Sequence, residues 1–312
     1  MTNATKARPR RRTPEPKAPK RSPWVERALF GLGALAVLVL AAVLVRIGGD
    51  NGSSADAGHV HVHGLGVNPA DGALFVATHT GLFRAGSGES TSARVGDNYQ
   101  DTMGFTVVGR DRFFGSGHPD ARADLPPLLG LIESTDAGRT WTPVSLLGEA
   151  DFHVLRSSGD RVFGYDVTND RLLVSDDAGR SWAEVERPGP LLDLVVDPEK
   201  ENNVLATAAG PLGNGLYGSR DGGKTWRHLG DSVGLLAWTA SDRLFLVDGR
   251  GDVFASRDRG LTFERRGGVD GEPAAFLGQD ADELYVALHD GTIMRSTDGG
   301  RTWSVRSAPG GG

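Results

Sequence analysis

The chain has 312 residues, 45 of them Gly and 16 Pro, with 7% aromatics and no Cys, which excludes disulfide staples, thiolate metal sites, cysteine nucleophiles and a lipidated cysteine. The formal charge of −6 is unevenly spread: residues 1–27 hold nine Lys/Arg against two Asp/Glu, or +7, so the remainder carries −13. That acidic remainder argues against a nucleic-acid partner, and the lack of any long amphipathic helical period in it points to an all-β domain.

Taken in chain order, residues 1–27 intersperse Lys6, Arg8, Arg10, Arg11, Arg12, Lys17, Lys20 and Arg21 with five prolines, too little apolar surface to fold, and are expected to be a disordered basic cytoplasmic tail. From Ala28 to Val45 no side chain is polar, and eighteen helical residues span roughly 27 Å, the thickness of a bilayer core. A transmembrane helix is therefore expected over residues 28–47, with Trp24 and Arg46 as interfacial anchors. The basic excess before it places the N-terminus inside and the rest in an extracytoplasmic position, in a single pass. The alternative is a signal peptide cleaved at Ala55-Asp56-Ala57, which gives a secreted domain. Residues 48–58 (GGDNGSSADAG) read as a flexible linker, 59–307 as the all-β domain and 308–312 as a C-terminal tail.

Within 59–307, six hairpins repeat: Leu65–Ala77, Phe105–Ser116, Val154–Tyr165, Leu194–Thr207, Leu236–Val247 and Phe276–Ala287. Five are followed by Ser-x-Asp-x-Gly-x-(Thr/Ser)-(Trp/Phe), with aspartates at Asp136, Asp177, Asp221, Asp258 and Asp298, separated by 41, 44, 37 and 40 residues. That is the period of a four-stranded blade. In such a turn Asp accepts bonds from the turn's own amides, Gly supplies positive φ, and the aromatic opens the next strand. The first unit carries Ala85-Gly86-Ser87-Gly88-Glu89 in that place, a degenerate turn.

These residues resemble the Asp-box, or BNR, repeat of sialidases, sortilin-type receptors and photosystem-assembly propellers, and bacterial membrane-anchored BNR proteins labelled glycosyl hydrolase or exo-alpha-sialidase. The resemblance implies a β-propeller with the box between the third and fourth strands of each blade. Six repeats imply six blades, with seven as the alternative and no strand exchanged between first and last blades. It further implies that the boxes lie on one rim and the pocket on the other.

Aligning the hairpins puts His79, His118 and His289 at equivalent strand ends on the rim away from the boxes, while His59, His61 and His63 open the first inner strand and His153 the third. Imidazoles so placed are candidates for ligand binding or for a divalent metal, with His79, His118 and His289 as the metal set and Asp101, Asp120 and Asp290 as nearby carboxylates. A glycosidase would draw its acid pair from Asp101, Glu149, Asp151, Asp166, Asp248 and Asp290, or a sialidase-like nucleophile from Tyr99 and Tyr165. Arg122, Arg171 and Arg250 are candidates for the carboxylate grip that a sialidase resemblance implies, although the Arg-Ile-Pro motif of that family is missing. The leading expectation is a membrane-anchored module that binds a glycan, peptide or protein, or serves assembly, through a His-rich rim; the alternative is a glycoside hydrolase acting on extracellular or cell-wall glycans.

Overall fold

The computed structural model describes residues 61–308, which form six antiparallel sheets of four strands each and contain no α-helix. The innermost strands are Val62–Val67, Asp101–Gly109, Phe152–Ser158, Leu191–Asp197, Leu235–Ala240 and Pro273–Gly278. Each pairs with the next strand in sequence, and so on outward, so every sheet is one unbroken stretch of chain. This is a six-bladed β-propeller, which settles the count against seven; no strand is exchanged between blades among the described residues. The basic tail, the apolar stretch 28–47, the linker, His59 and most of the C-terminal tail lie outside the described residues. Among those described, no helix is long and apolar enough to cross a membrane.

There is no single central core. Six apolar clusters each join two neighbouring blades, and the ring closes where Val62, Leu65, Leu74, Val76 and Phe83 of blade 1 meet Ala275, Tyr285, Ala287 and Ile293 of blade 6. A second strand, sandwiched between two such clusters, is covered on both faces. Leu74–Thr78 and Leu284–Leu288 are accordingly buried at every position. The inner strands approach each other closely near the axis. A Cβ on Gly66 would lie 2.5 Å from Val107 Cγ2, and one on Gly104 would lie 2.4 Å from the Phe152 carbonyl. Glycine in the segment Gly64-Leu65-Gly66 is therefore a packing requirement.

The five boxes share one hydrogen-bond pattern. In blade 3, Asp177 Oδ1 accepts from the Ser181 N–H (2.8 Å), Asp177 Oδ2 from the Ser181 hydroxyl (2.6 Å), and Ser175 Oγ from the Gly179 N–H (2.8 Å). Positive φ is found at the box Gly, +82° at Gly138 and +81° at Gly179, and also at the residue before it, +59° at Ala137 and +58° at Ala178. The box aromatics Trp141, Trp182, Trp226, Phe263 and Trp303 pack on the cluster shared with the preceding blade. Two also donate a hydrogen bond there, Trp182 Nε1 to Ser145 Oγ and Trp226 Nε1 to the Glu186 carbonyl.

Blade 1 has no such aromatic. Arg306, from the outermost strand of blade 6, instead donates to the Gly86 carbonyl (2.7 Å) and to that of Glu89, both in the degenerate turn. The clasp thus joins the same two places as a box aromatic, with the donor on the other side.

Candidate functional site

The innermost strands begin on the rim opposite the boxes, and five of them skip a residue near that start in their pairing with the second strand. The skipped residues are His63, Met103, His153, Leu192 and Ala274 in blades 1, 2, 3, 4 and 6. A bulge re-aims the side chain it carries. All five bulged residues line the axial channel, a cavity of about 420 Å³. His63 and His153 are therefore equivalent positions, two blades apart.

The residue just before this bulged segment is Asp101 in blade 2, Asp151 in blade 3 and His61 in blade 1. Asp101 and Asp151 each lie next to the strand-end histidine of the preceding blade. His79 Nδ1 is 2.8 Å from Asp101 Oδ2. His118 Nε2 is 3.7 Å from Asp151 Oδ2, which also takes His153 Nε2 at 3.0 Å. His118 Nδ1 lies 2.8 Å from the Pro127 carbonyl, so it donates there in the tautomer with a proton on that nitrogen. In blade 1 the equivalent position is occupied by His61, and the strand-end His289 of blade 6 is exposed, its backbone N–H bonded to the Glu272 carbonyl.

Two groups result. In the first, His63 packs edge-on against His79 with ring centres 4.3 Å apart, and His61 lies 5.4 Å from His79. One ligand atom each from His63, His79 and Asp101 fall within 4.8 Å of one another. His63 Nε2 and Asp101 Oδ1 are buried, 4.0 Å apart, and neither has a hydrogen-bond partner. Burial foremost, then the neighbouring His79, pushes the His63 pKa down to about 3, so the ring is neutral. In the second group, Asp151 is buried between His118 and His153, and its Oδ1 is again without a partner.

His79, His118 and His289 do not form one group with ligand spacing among the described residues. Equivalent second-strand ends are related by rotation about the channel and stand off its axis, and His79 and His118 each meet the inner strand of the next blade. The group with metal-ligand spacing among the described residues is His63, His79 and Asp101.

The remaining candidates are committed elsewhere. Asp166 is buried; burial would raise its pKa, but bonds from Asn169 and Arg171 prevail and hold it below the usual carboxylate range. Tyr165 donates to Asp170 Oδ1 (2.6 Å), and burial together with that bond pushes its pKa up to about 12, which keeps the phenol protonated. Asp248 and Asp290 cap their own turns through the N–H groups of Arg250 and Thr292, and Glu149 is exposed. Arg122 holds Asp120, pairs with Asp97 and stacks over the exposed Tyr99. Arg171 is tied to Asp166, and Arg250 is exposed on blade 5.

Sequence reasoning passed over Arg156 and Asp193. Arg156 Nη2 donates to the buried Asp193 Oδ1 (2.7 Å) in the channel wall, and Asp193 Oδ2 accepts the Leu236 N–H of the next blade (2.8 Å). Burial raises the Asp193 pKa despite Arg156. The signal was a lone charge inside the apolar run Leu191–Val196. On the box side, a cavity of about 690 Å³ between blades 4 and 5 is lined by Arg220, Arg227, Arg257, Arg259 and Leu261. Its lining also includes the carboxylates Asp242 and Asp258 and the apolar Trp226, Leu229 and Trp238, with no histidine.

Residues 130–250 match the family model described as sortilin, neurotensin receptor 3, and residues 294–305 match the BNR/Asp-box repeat. The dispase autolysis-inducing protein of Streptomyces mobaraensis is 36% identical over 101 residues, 32% of this chain and 26% of that protein. A xyloglucanase of a Paenibacillus species is 30% identical over 156 residues, 45% of this chain and 14% of that protein. The chain thus spans well under a third of either curated relative. Among solved structures, a GH74 enzyme of Niastella koreensis superposes with a TM-score of 0.60 at 16% identity, over 80% of this chain and 45% of that one.

Proposed function

Taking the chain as a six-bladed propeller of Asp-box (BNR) repeats, we propose that it is a ligand-binding or assembly module, displayed outside the cell on the apolar stretch 28–47. It takes a glycan, peptide or protein partner over the channel mouth, through His63, His79, His118 and His153 with Asp101 and Asp151. The observation that carries this reading is the convergence of these six side chains from three adjacent blades, with three buried polar atoms on His63, Asp101 and Asp151 still lacking partners. Buried polar atoms without partners are costly and are commonly satisfied by something bound. Thermal-shift screening of the full-length chain against oligosaccharide and peptide panels should find stabilising ligands whose effect disappears in D151N. Ligands whose effect is unchanged by D101N and D151N would place binding elsewhere.

The second reading is a glycoside hydrolase, favoured by the likeness to a xyloglucanase and to a GH74 enzyme. Such chemistry needs two free carboxyl groups flanking a bond. Asp101 and Asp151 sit together at the channel mouth, and both are held by histidine. Fluorogenic glycosides and xyloglucan should show no turnover above that of a D101N/D151N variant; turnover lost in that variant with the fold intact would favour the hydrolase.

A further inference from the structure

We propose that His63, His79 and Asp101 form a binding site for a late first-row divalent cation, through which the channel mouth holds its ligand. The inference rests on the binding reading above and makes its chemistry specific. Two imidazole nitrogen donors and a carboxylate, with no thiolate, suit zinc, copper or nickel in preference to magnesium or calcium, which take all-oxygen shells.

The geometry fits without rebuilding the blades. Donors about 2.0–2.2 Å from a tetrahedral ion lie roughly 3.3–3.5 Å from one another. His79 Nδ1 is 2.8 Å from Asp101 Oδ2 and His63 Nε2 is 4.0 Å from Asp101 Oδ1, and one donor from each of the three residues lies within 4.8 Å of the others, so side-chain adjustment of about 1 Å brings them to that spacing. The gap between His63 Nε2 and Asp101 Oδ1 is too wide for a hydrogen bond, and both atoms are buried without partners. An ion between them satisfies both at once. A purely hydrogen-bonded pair would have closed the gap.

Each ligand is supplied by a feature of the fold. The bulge at His63 turns that ring toward the channel, where it lines the cavity. His79 comes from the end of the adjacent second strand, and Asp101 from the start of the next blade's inner strand. Three protein ligands leave a tetrahedral ion one position open. That position suits a carboxylate, an imidazole or paired hydroxyls of a bound partner. The parallel group at Asp151 does not repeat the arrangement, because His118 is tied to the Pro127 carbonyl and only His63, His79 and Asp101 show ligand spacing among the described residues.

The test uses the full-length chain purified without a polyhistidine tag and stripped with a chelator. Calorimetric titration with zinc chloride should show one equivalent bound, and magnesium chloride should show no heat of binding. H63Q and D101N should each weaken zinc binding by about tenfold or more, with H228Q, on the outermost strand of blade 4, unchanged. Cobalt chloride added to the wild-type chain should give the intense visible band of a low-symmetry site, a readout that needs no variant. Substoichiometric zinc, a featureless cobalt spectrum, or equal affinity in D101N would each overturn the site. Ligand binding that persists in chelator would sink the metal while leaving the binding reading intact; one equivalent of zinc with no ligand found would sink only that reading.

Discussion

Each box aspartate is a carboxylate solvated by its own turn, and this makes the fold sensitive to acid. The Ser181 side chain chiefly holds Asp177 at about 2, and the Thr225 side chain does the same for Asp221. Asp136, Asp258 and Asp298 are shifted in the same direction. All five folded values lie below the ordinary carboxylate value of 3.8, so this stabilisation is complete above about pH 4 and is lost as pH falls toward about 2. Urea midpoints should drop across that window, and D177N/D221N/D298N should flatten the drop. The channel pair behaves differently. R156A leaves Asp193 buried without its counter-charge and should cost about 3–5 kcal/mol by urea unfolding. Adding D193N to that variant should restore part of the loss. The boxes were legible in the sequence because every bond of the motif closes within seven residues. The histidine grouping was not, because it depends on a one-residue bulge and on which blade's inner strand meets which strand end. Asp101 and His79 were each found as candidates, yet nothing local pairs residues that are 22 positions apart.

At the scale of the strand and turn, the five boxes show that the turn asks more of the backbone than one glycine. Two successive residues adopt left-handed φ, and the second must also be small. A Cβ on Gly179 would lie 2.0 Å from Leu131 Cδ2, so the residue is fixed by both φ and space. G179A should lose about 2 kcal/mol or more, checked by chemical denaturation, as strain and overpacking add. The same substitution at Gly159, also at positive φ but with nothing within 4 Å of its Cβ, should cost only the strain. The hairpins were readable from alternation and turn residues to within a few positions: Leu65–Ala77 became strands Val62–Val67 and Leu74–Thr78. In blades 2, 4 and 6 the inner strands start at Asp101, Leu191 and Pro273, earlier than the hairpins read from the sequence, because a bulged residue breaks the alternation that marks a strand. His63 and His153 are polar where the period calls for an apolar residue, and that irregularity is what places them at the channel.

For the molecule as a whole, the joint between blades 6 and 1 differs from the other five. It has an apolar cluster like the rest, but no box aromatic, and Arg306 reaches across to carbonyls of the degenerate turn instead. R306A should therefore loosen this joint selectively. Amide exchange in Gly81–Ala85 and Ser304–Ser307 should quicken while that in blades 3 and 4 holds. Equal protection in the variant would mean the clasp adds nothing to closure. The degenerate repeat was visible in the sequence, but its replacement was not, since an arginine 220 positions away carries no local mark. The unbroken descent of each sheet from one stretch of chain has a further consequence for how the protein is made. Blades can be laid down in order as the chain emerges, but the flank of blade 1 that carries Val62, Leu65 and Val76 stays bare until Pro273–Gly278 and the strands after it arrive. Until then the nascent protein is an arc with one adhesive end, open to capture by a chaperone or by another chain in the same state. A premature stop before blade 6 would make that condition permanent, so truncation late in this sequence should yield sticky, partly folded protein and not merely a smaller disc.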